Sequence, residues 1–374
     1  MSYENYFPRG IAKGNAFCNR EAERRRLISN IKSRQHTLIM SPRRYGKTSL
    51  VKYAVDEMGI LFGEADLFVA IDAKRVEQQI LVGIKKIIGA VSSTTEQVLE
   101  IIRQFFQKNS AKWTVGTQGL DIALIPENND AATTIMEALN ALEDLLKKKN
   151  MRAVFFIDEI QQIGEVAEGT GIEGALRHVA QQTQALSFVF SGSNRHLLAN
   201  MFYDKNRPLY KLCDRIILDR IDKSHYKKHL NKLARKRWKT SLDTQALETL
   251  LLLTEQHPFY MNGLCLRLWQ SALKQAPSLN EINAAWIEMV KEEQPEIARE
   301  LSILSPGQRK ILNAISAGFT TELSGKTFLN KINMSSSSVV EALKILEQGD
   351  YIAKKESGEY YLIDPLIATA LRLS

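Results

Sequence analysis

Short apolar runs alternate along this chain with longer stretches whose apolar residues recur at three- and four-residue steps. His36–Met40, Leu67–Ile71, Ala153–Ile157, Leu186–Phe190 and Arg215–Leu218 are runs of strand length, and continuous apolar character predicts strands buried on both faces. Helical spacing follows them. It covers Ser49–Met58 and Val76–Gln107, the latter with Ile80, Ile84, Ile87, Ile88 and Val91 on one stripe, and continues in Ala131–Lys148 and Leu176–Gln184. Strand–helix alternation of this kind predicts a parallel α/β sheet. Leu27, Ile28 and Ile31 give Asn15–Ile31 an amphipathic helix, with Asn19 expected as its N-cap. Trp113–Ile125, with two glycines, predicts a hairpin, and Gly164–Gly174 a loop.

Beyond residue 220 the pattern is helical, with stripes at Leu247–Leu273. After Glu292–Leu304 it becomes three short helices and a hairpin. Ser305 and Pro306 open the first helix, Gly325–Ile332 forms the second, Met334–Gln348 the third, and strands at Tyr351–Lys354 and Glu359–Ile363 close it. Helix–helix–helix–hairpin is the order of a winged helix, with Ser335–Ser338 heading its recognition helix.

The 374 residues, 44% hydrophobic and 25% charged, suit two or three globular domains. No apolar run reaches membrane-spanning length, and Met1–Gly10 lacks the apolar core of a signal peptide. Cys18, Cys213 and Cys265 are too scattered for a metal or disulfide framework, as expected of a cytoplasmic protein. The formal net charge is +8. Arg195–Lys239 alone holds 14 Lys/Arg against 4 Asp/Glu, whereas residues 302–374 hold 8 against 7. The basic segment reads either as a solvated helix face or as a track for a DNA backbone. The near-neutral winged helix reads either as a DNA reader or as a protein–protein or intramolecular latch.

The chemistry concentrates in two places. Ser41-Pro42-Arg43-Arg44-Tyr45-Gly46-Lys47-Thr48-Ser49 joins an apolar run to a helix, which is the setting of a phosphate-binding P-loop. Ser41 stands where that pattern has glycine, and Pro42 tends to hold it extended. Backbone N–H groups and the helix N-terminus suit ATP or ADP phosphates, Lys47 would reach the β- and γ-phosphates, and Thr48 would bind Mg²⁺. Asp158 and Glu159 stand at the C-terminal end of the Ala153–Ile157 run, where parallel sheets place their ligands. Asp158 suits Mg²⁺, and Glu159 suits the base that orients water.

With those motifs in place, Phe17-Cys-Asn-Arg-Glu-Ala-Glu23 resembles the Phe-x-Gly-Arg-Glu-x-Glu entry segment of the AAA+/STAND ATPases, especially the archaeal-type ATPase family. The resemblance implies an AAA+-type core at residues 1–220, a helical lid at 221–295 and a winged-helix domain at 296–374. It puts Asn19, in place of the usual Gly, and Arg20 beside the adenine. It also implies a polar sensor at Ser193 and Asn194, followed by Arg195, although these also read as a polar turn. His257-Pro258-Phe259-Tyr260 is similar to the family's Gly-Gly-His-Pro-Phe-Tyr lid element, with Glu255 and Gln256 replacing the glycines; His257 reads equally as a helix-end histidine. Pro208-Leu-Tyr is followed by Lys211 and Leu212 where the family has Gly-Arg, so the arginine of that position is missing, with Arg207 and Arg215 as substitutes. The implied activity is slow ATP hydrolysis by a molecular switch. A DNA-remodelling or helicase-loading ATPase, homo-oligomeric on DNA, and a nucleotide-dependent scaffold are the alternatives, and a partner protein is a further expectation.

Overall fold

The computed structural model describes residues 6–91, 111–115, 122–126, 130–271, 274–355 and 357–373, with side chains of 111–126 left aside. The chain divides into two compact units. One comprises Glu21–Ser41 and Lys47–Leu218; the other comprises the N-terminal segment ending at Arg20, the loop Pro42–Gly46, and the chain from Asp219 onward.

The first unit is a sheet wrapped by helices. In chain order its elements are α1 (Glu21–Lys32), β1 (Thr37–Met40), α2 (Lys47–Met58), β2 (Leu61–Asp66), α3 (Ala73–Val91), β3 (Ala111–Val115), β4 (Ile122–Pro126) and α4 (Ala131–Lys148). There follow β5 (Ala153–Asp158), α5 (Gln162–Val166), α6 (Ile172–Gln182), β6 (Leu186–Gly192), α7 (Arg195–Tyr203) and β7 (Asp214–Ile217). Five strands pair in parallel in the order β2–β5–β6–β1–β7. The central strands β1, β5 and β6 are buried almost throughout, whereas the edges β2 and β7 alternate, as burial on two faces or one requires. The core beneath them joins Phe155, Phe188 and Phe190 to the apolar stripes of α3 and α4. β3 and β4 form the predicted antiparallel hairpin; its turn, and residues 92–107 of the predicted long helix, lie outside the described residues.

The structure corrects three expectations. The second strand is Leu61–Asp66, and Leu67–Ile71 is a turn that exposes Phe68, Val69 and Ile71. An edge strand admits Glu64, which pairs with Lys52 at 2.9 Å. Gly63 admits the close approach of α3: a Cβ there would lie 2.4 Å from the Gly83 carbonyl oxygen. Asn19 is not the N-cap of α1, which begins at Glu21; Asn19 and Arg20 adopt left-handed backbone, φ 57° and 64°, a conformation open to glycine and tolerated by Asn. The predicted 164–174 loop contains most of α5 and the start of α6.

The second unit is helical with a small hairpin. It holds α8 (Lys223–Trp238), α9 (Thr244–Leu253), α10 (Pro258–Gln270), α11 (Leu279–Ser302), α12 (Pro306–Ser316), α13 (Lys326–Ile332), α14 (Ser336–Gln348), β8 (Ile352–Lys354), β9 (Tyr360–Leu362) and α15 (Pro365–Leu373). The expected boundary at residue 295 falls inside α11. Proline in a helix interior removes a hydrogen bond and crowds the preceding turn, so Pro295 reads as a stop. Burial of Trp286, Met289, Val290 and Ile297 on one face carries the helix past it. Lid and winged helix share one core, and the Trp286 indole N–H donates to Thr369 Oγ1 at 3.2 Å across it. Among the described residues no helix is long and apolar enough to cross a membrane.

Candidate nucleotide site

β1 and β5 both end at the carboxyl edge of the sheet, and the residues expected to meet phosphate and Mg²⁺ end or follow them there. The chain leaves β1 through Ser41 and re-enters helix at Lys47; Arg44 and Gly46 turn it with φ 66° and 91°. Lys47 is buried, and its ammonium donates to the Ser41 carbonyl at 3.2 Å and lies 4.0 Å from Glu159 Oε1. Thr48 Oγ1 donates to Asp158 Oδ2 at 2.8 Å. Ser191, on the neighbouring strand, donates to the other Asp158 oxygen. Ser49 is buried within α2. Burial raises the Asp158 carboxyl above its ordinary value, against the pull of Ser191 and Thr48. A buried carboxylate beside a hydroxyl oxygen is a pair that a hard divalent cation takes as ligands, so Thr48 and Asp158 fit Mg²⁺.

Glu159 has left-handed backbone, φ 52°, rare for a residue with a long side chain. Its Oε2 accepts from the Ser193 amide at 3.1 Å, from Ser193 Oγ at 2.7 Å, and from Gln161 Nε2. Ser193 thus meets the glutamate directly. Asn194 instead caps α7, its Oδ1 accepting from the Leu197 amide at 3.0 Å, and Arg195 is the first residue of that helix. Arg207 forms ion pairs with Glu168 and Glu173, while Arg215 stacks on Tyr203. Ser191 and Gln161 escaped the sequence reading. The signal for Ser191 is a hydroxyl within an apolar run; for Gln161 it is an amide two residues after the Asp-Glu pair.

The second unit holds the remaining expected residues. Arg20, expected at the adenine, is buried and donates to the carbonyls of Tyr45 and Asp219. Tyr45 packs against Ala353 and Ile363 and meets the His257 ring edge-on at 4.6 Å. Arg44 lies 4.3 Å over the Phe259 ring; Pro42 is buried and Arg43 exposed. His257 caps α10 by accepting from the Phe259 amide at 3.3 Å, and Pro258 is its first helical residue. Burial, with Arg220 and Arg44, lowers His257 to about 3, so the ring is neutral. Glu255 and Gln256 both adopt left-handed backbone, φ 46° and 61°, which explains why glycines suit those positions.

Residues 298–372 match the family model of a probable winged helix domain. A Walker-type ATPase of Pyrococcus abyssi superposes with TM-score 0.69 over 98% of this chain and 99% of its own, at 17% identity. The ORC2 protein of Aeropyrum pernix, solved as ADPNP–ADP complexes, superposes with TM-score 0.58 over 99% and 97%, at 15% identity. No curated sequence matches the chain. The chain shares its fold with both structures, and its own elements are a five-stranded parallel α/β sheet and a C-terminal winged helix.

Proposed function

We propose that the protein binds ATP with Mg²⁺ and hydrolyses it slowly, as a STAND-type switch whose nucleotide state sets the position of lid and winged helix. The observation that carries the reading is the meeting of Lys47, Thr48, Asp158 and Glu159 at the ends of β1 and β5. Lys47 supplies charge for the phosphates, Thr48 and Asp158 hold the cation, and Glu159 orients water. Bound Mg²⁺ would supply the charge that offsets the developing negative oxygens. Support for coupling comes from Tyr45, in the phosphate loop. It packs on the wing residues Ala353 and Ile363, while Arg220 donates to the Leu362 and Ile363 carbonyls at 3.2 Å.

A second reading, a DNA-dependent ATPase, is favoured by α8. Lys228, Lys232, Arg235 and Lys236 are exposed on one stripe of that helix, opposite the buried Tyr226, Leu230 and Leu233. ATPase turnover with and without duplex DNA, read beside oligomer mass, separates the two. Turnover independent of DNA supports the switch, strong stimulation with assembly supports the second reading, and tight ATP binding without turnover overturns hydrolysis.

A further inference from the structure

We infer that Gln161 is a positioning residue for hydrolysis, its amide holding the Glu159 carboxylate while Gly192 forms the shelf on which that amide rests. The inference rests on the hydrolytic reading above. Three donors converge on Glu159 Oε2, and two belong to Ser193. The third is Gln161 Nε2, which arrives from the residue before α5. With Oε2 fixed from two elements, Oε1 is the oxygen that faces Lys47, 4.0 Å away. A carboxylate that must orient water gains from having its torsions set beforehand, because misplacement by about 1 Å costs on the order of a hundredfold in rate.

The other end of the amide shows why the residue is glutamine. Gln161 is only 4% exposed, and its Oε1 has no donor among the described residues. The amide cannot turn over to satisfy it, since the reversed group would set Oε1 against the Glu159 carboxylate, which only accepts. A buried carbonyl without a donor costs roughly 1–3 kcal/mol, so an apolar side chain would serve stability better at this position. That Oε1 lies on Gly192: a Cβ at residue 192 would stand 2.0 Å from it. Residue 192 has no left-handed φ, so its backbone does not demand glycine; the space does, chiefly the Gln161 amide and less severely the two Leu198 methyls, 3.0 Å from such a Cβ. The backbone of Gln161 itself, φ −60° and ψ −18°, accepts any ordinary residue.

The test is steady-state ATPase kinetics on the full chain. Gln161→Ala and Gln161→Leu should each lower kcat about tenfold or more with KM for ATP within about twofold of wild type. Gln161→Leu, which fills the space, should melt no lower than wild type. In single-turnover measurements on the Glu159→Gln background, Gln161→Ala should add no further loss, because the carboxylate it positions is gone. Gly192→Ala should reproduce the kcat loss in wild type and add less than about twofold to Gln161→Ala, where only the flexible Leu198 methyls remain in its way. Full kcat in both Gln161 variants, a rise in KM that accounts for the loss, or an equal further loss in the Glu159→Gln background overturns the assignment alone. A wild-type chain without turnover overturns the hydrolytic reading and this assignment with it.

Discussion

Lys47 and Glu159 lie 4.0 Å apart, yet in the proposed hydrolysis they would enter at different stages, and substitutions separate them. Lys47 would meet phosphate in the ground state, so Lys47→Ala should weaken ATP binding about tenfold or more and lower turnover. In the proposed mechanism Glu159 would act on water, so Glu159→Gln should keep ATP binding while lowering turnover at least about a hundredfold, leaving ATP trapped. Equilibrium binding of a fluorescent ATP analogue beside phosphate release checks both; normal turnover in Glu159→Gln would remove the glutamate from the mechanism. Asp158 raises a separate question. Its Oδ2 accepts from Thr48 at 2.8 Å and its other oxygen accepts from Ser191, so two hydroxyls hold the carboxylate in place. Asp158→Asn keeps the shape and loses the charge, and it should raise the Mg²⁺ concentration for half-maximal turnover about tenfold. A Mg²⁺ titration that does not move would make Asp158 a structural carboxylate.

At the scale of elements, α1 is fastened to the edge strand β7 by polar contacts. Arg26 Nε donates to Asp214 Oδ2 at 2.8 Å, and Asn30 donates to the same oxygen at 2.8 Å. Burial pushes the Asp214 carboxyl up, but Arg26 and Asn30 outweigh it and hold it below its ordinary 3.8. A lowered carboxyl stabilises the fold above its unfolded value and loses that contribution as pH falls through its folded value. Wild type should therefore outlast Asp214→Asn at pH 7 by about 1 kcal/mol at most, since Arg26 is half-exposed and screened, and the gap should close as pH falls below 4. Thermal melts of both proteins between pH 7 and 3 check this; a gap that widens on acidification would exclude the charge as the cause. The elements also differ in how legible they were. β5 and β6 are unbroken apolar runs because both their faces are buried, and the P-loop and Asp158-Glu159 follow directly from such strands. β2 was masked: Gly63 and Glu64 interrupt it for reasons of tertiary packing, so the apolar turn after it looked more strand-like. Pro295 hid the continuity of α11 in the same way. Arg20 directs its side chain to the Tyr45 and Asp219 carbonyls, which only the folded chain brings near, and Asn194 turns its own to the Leu197 amide as a helix cap. Spacing cannot show that Gln161 turns back to Glu159.

For the molecule as a whole, charge is the property that points outward. The net charge of +8 is less than the excess carried by Arg195–Lys239 alone, 14 Lys/Arg against 4 Asp/Glu, while residues 302–374 are close to neutral. If duplex DNA is a partner, affinity should therefore arise mainly from α8, with the winged helix contributing register. The position of each cation on α8 decides which ones matter. Lys227 pairs with Glu248 at 2.5 Å and contributes little free charge. Lys228, Lys232, Arg235 and Lys236 lie exposed on one stripe. Each phosphate contact contributes roughly 0.9 to the slope of log affinity against log salt. Changing these four to Ala should flatten that slope by up to about 3–4 units, whereas Lys227→Ala should leave it nearly intact. Ser335 and Ser336, at the head of α14, are neutral hydroxyls that release few counterions, so their substitution should also spare the slope. Fluorescence anisotropy on duplex DNA from about 50 to 200 mM salt reads all three outcomes. A full slope in the fourfold variant would move the DNA surface off α8. Absence of binding to duplex or single strands at the lowest salt would leave the winged helix as a protein latch, holding Tyr45 of the phosphate loop through Ala353 and Ile363.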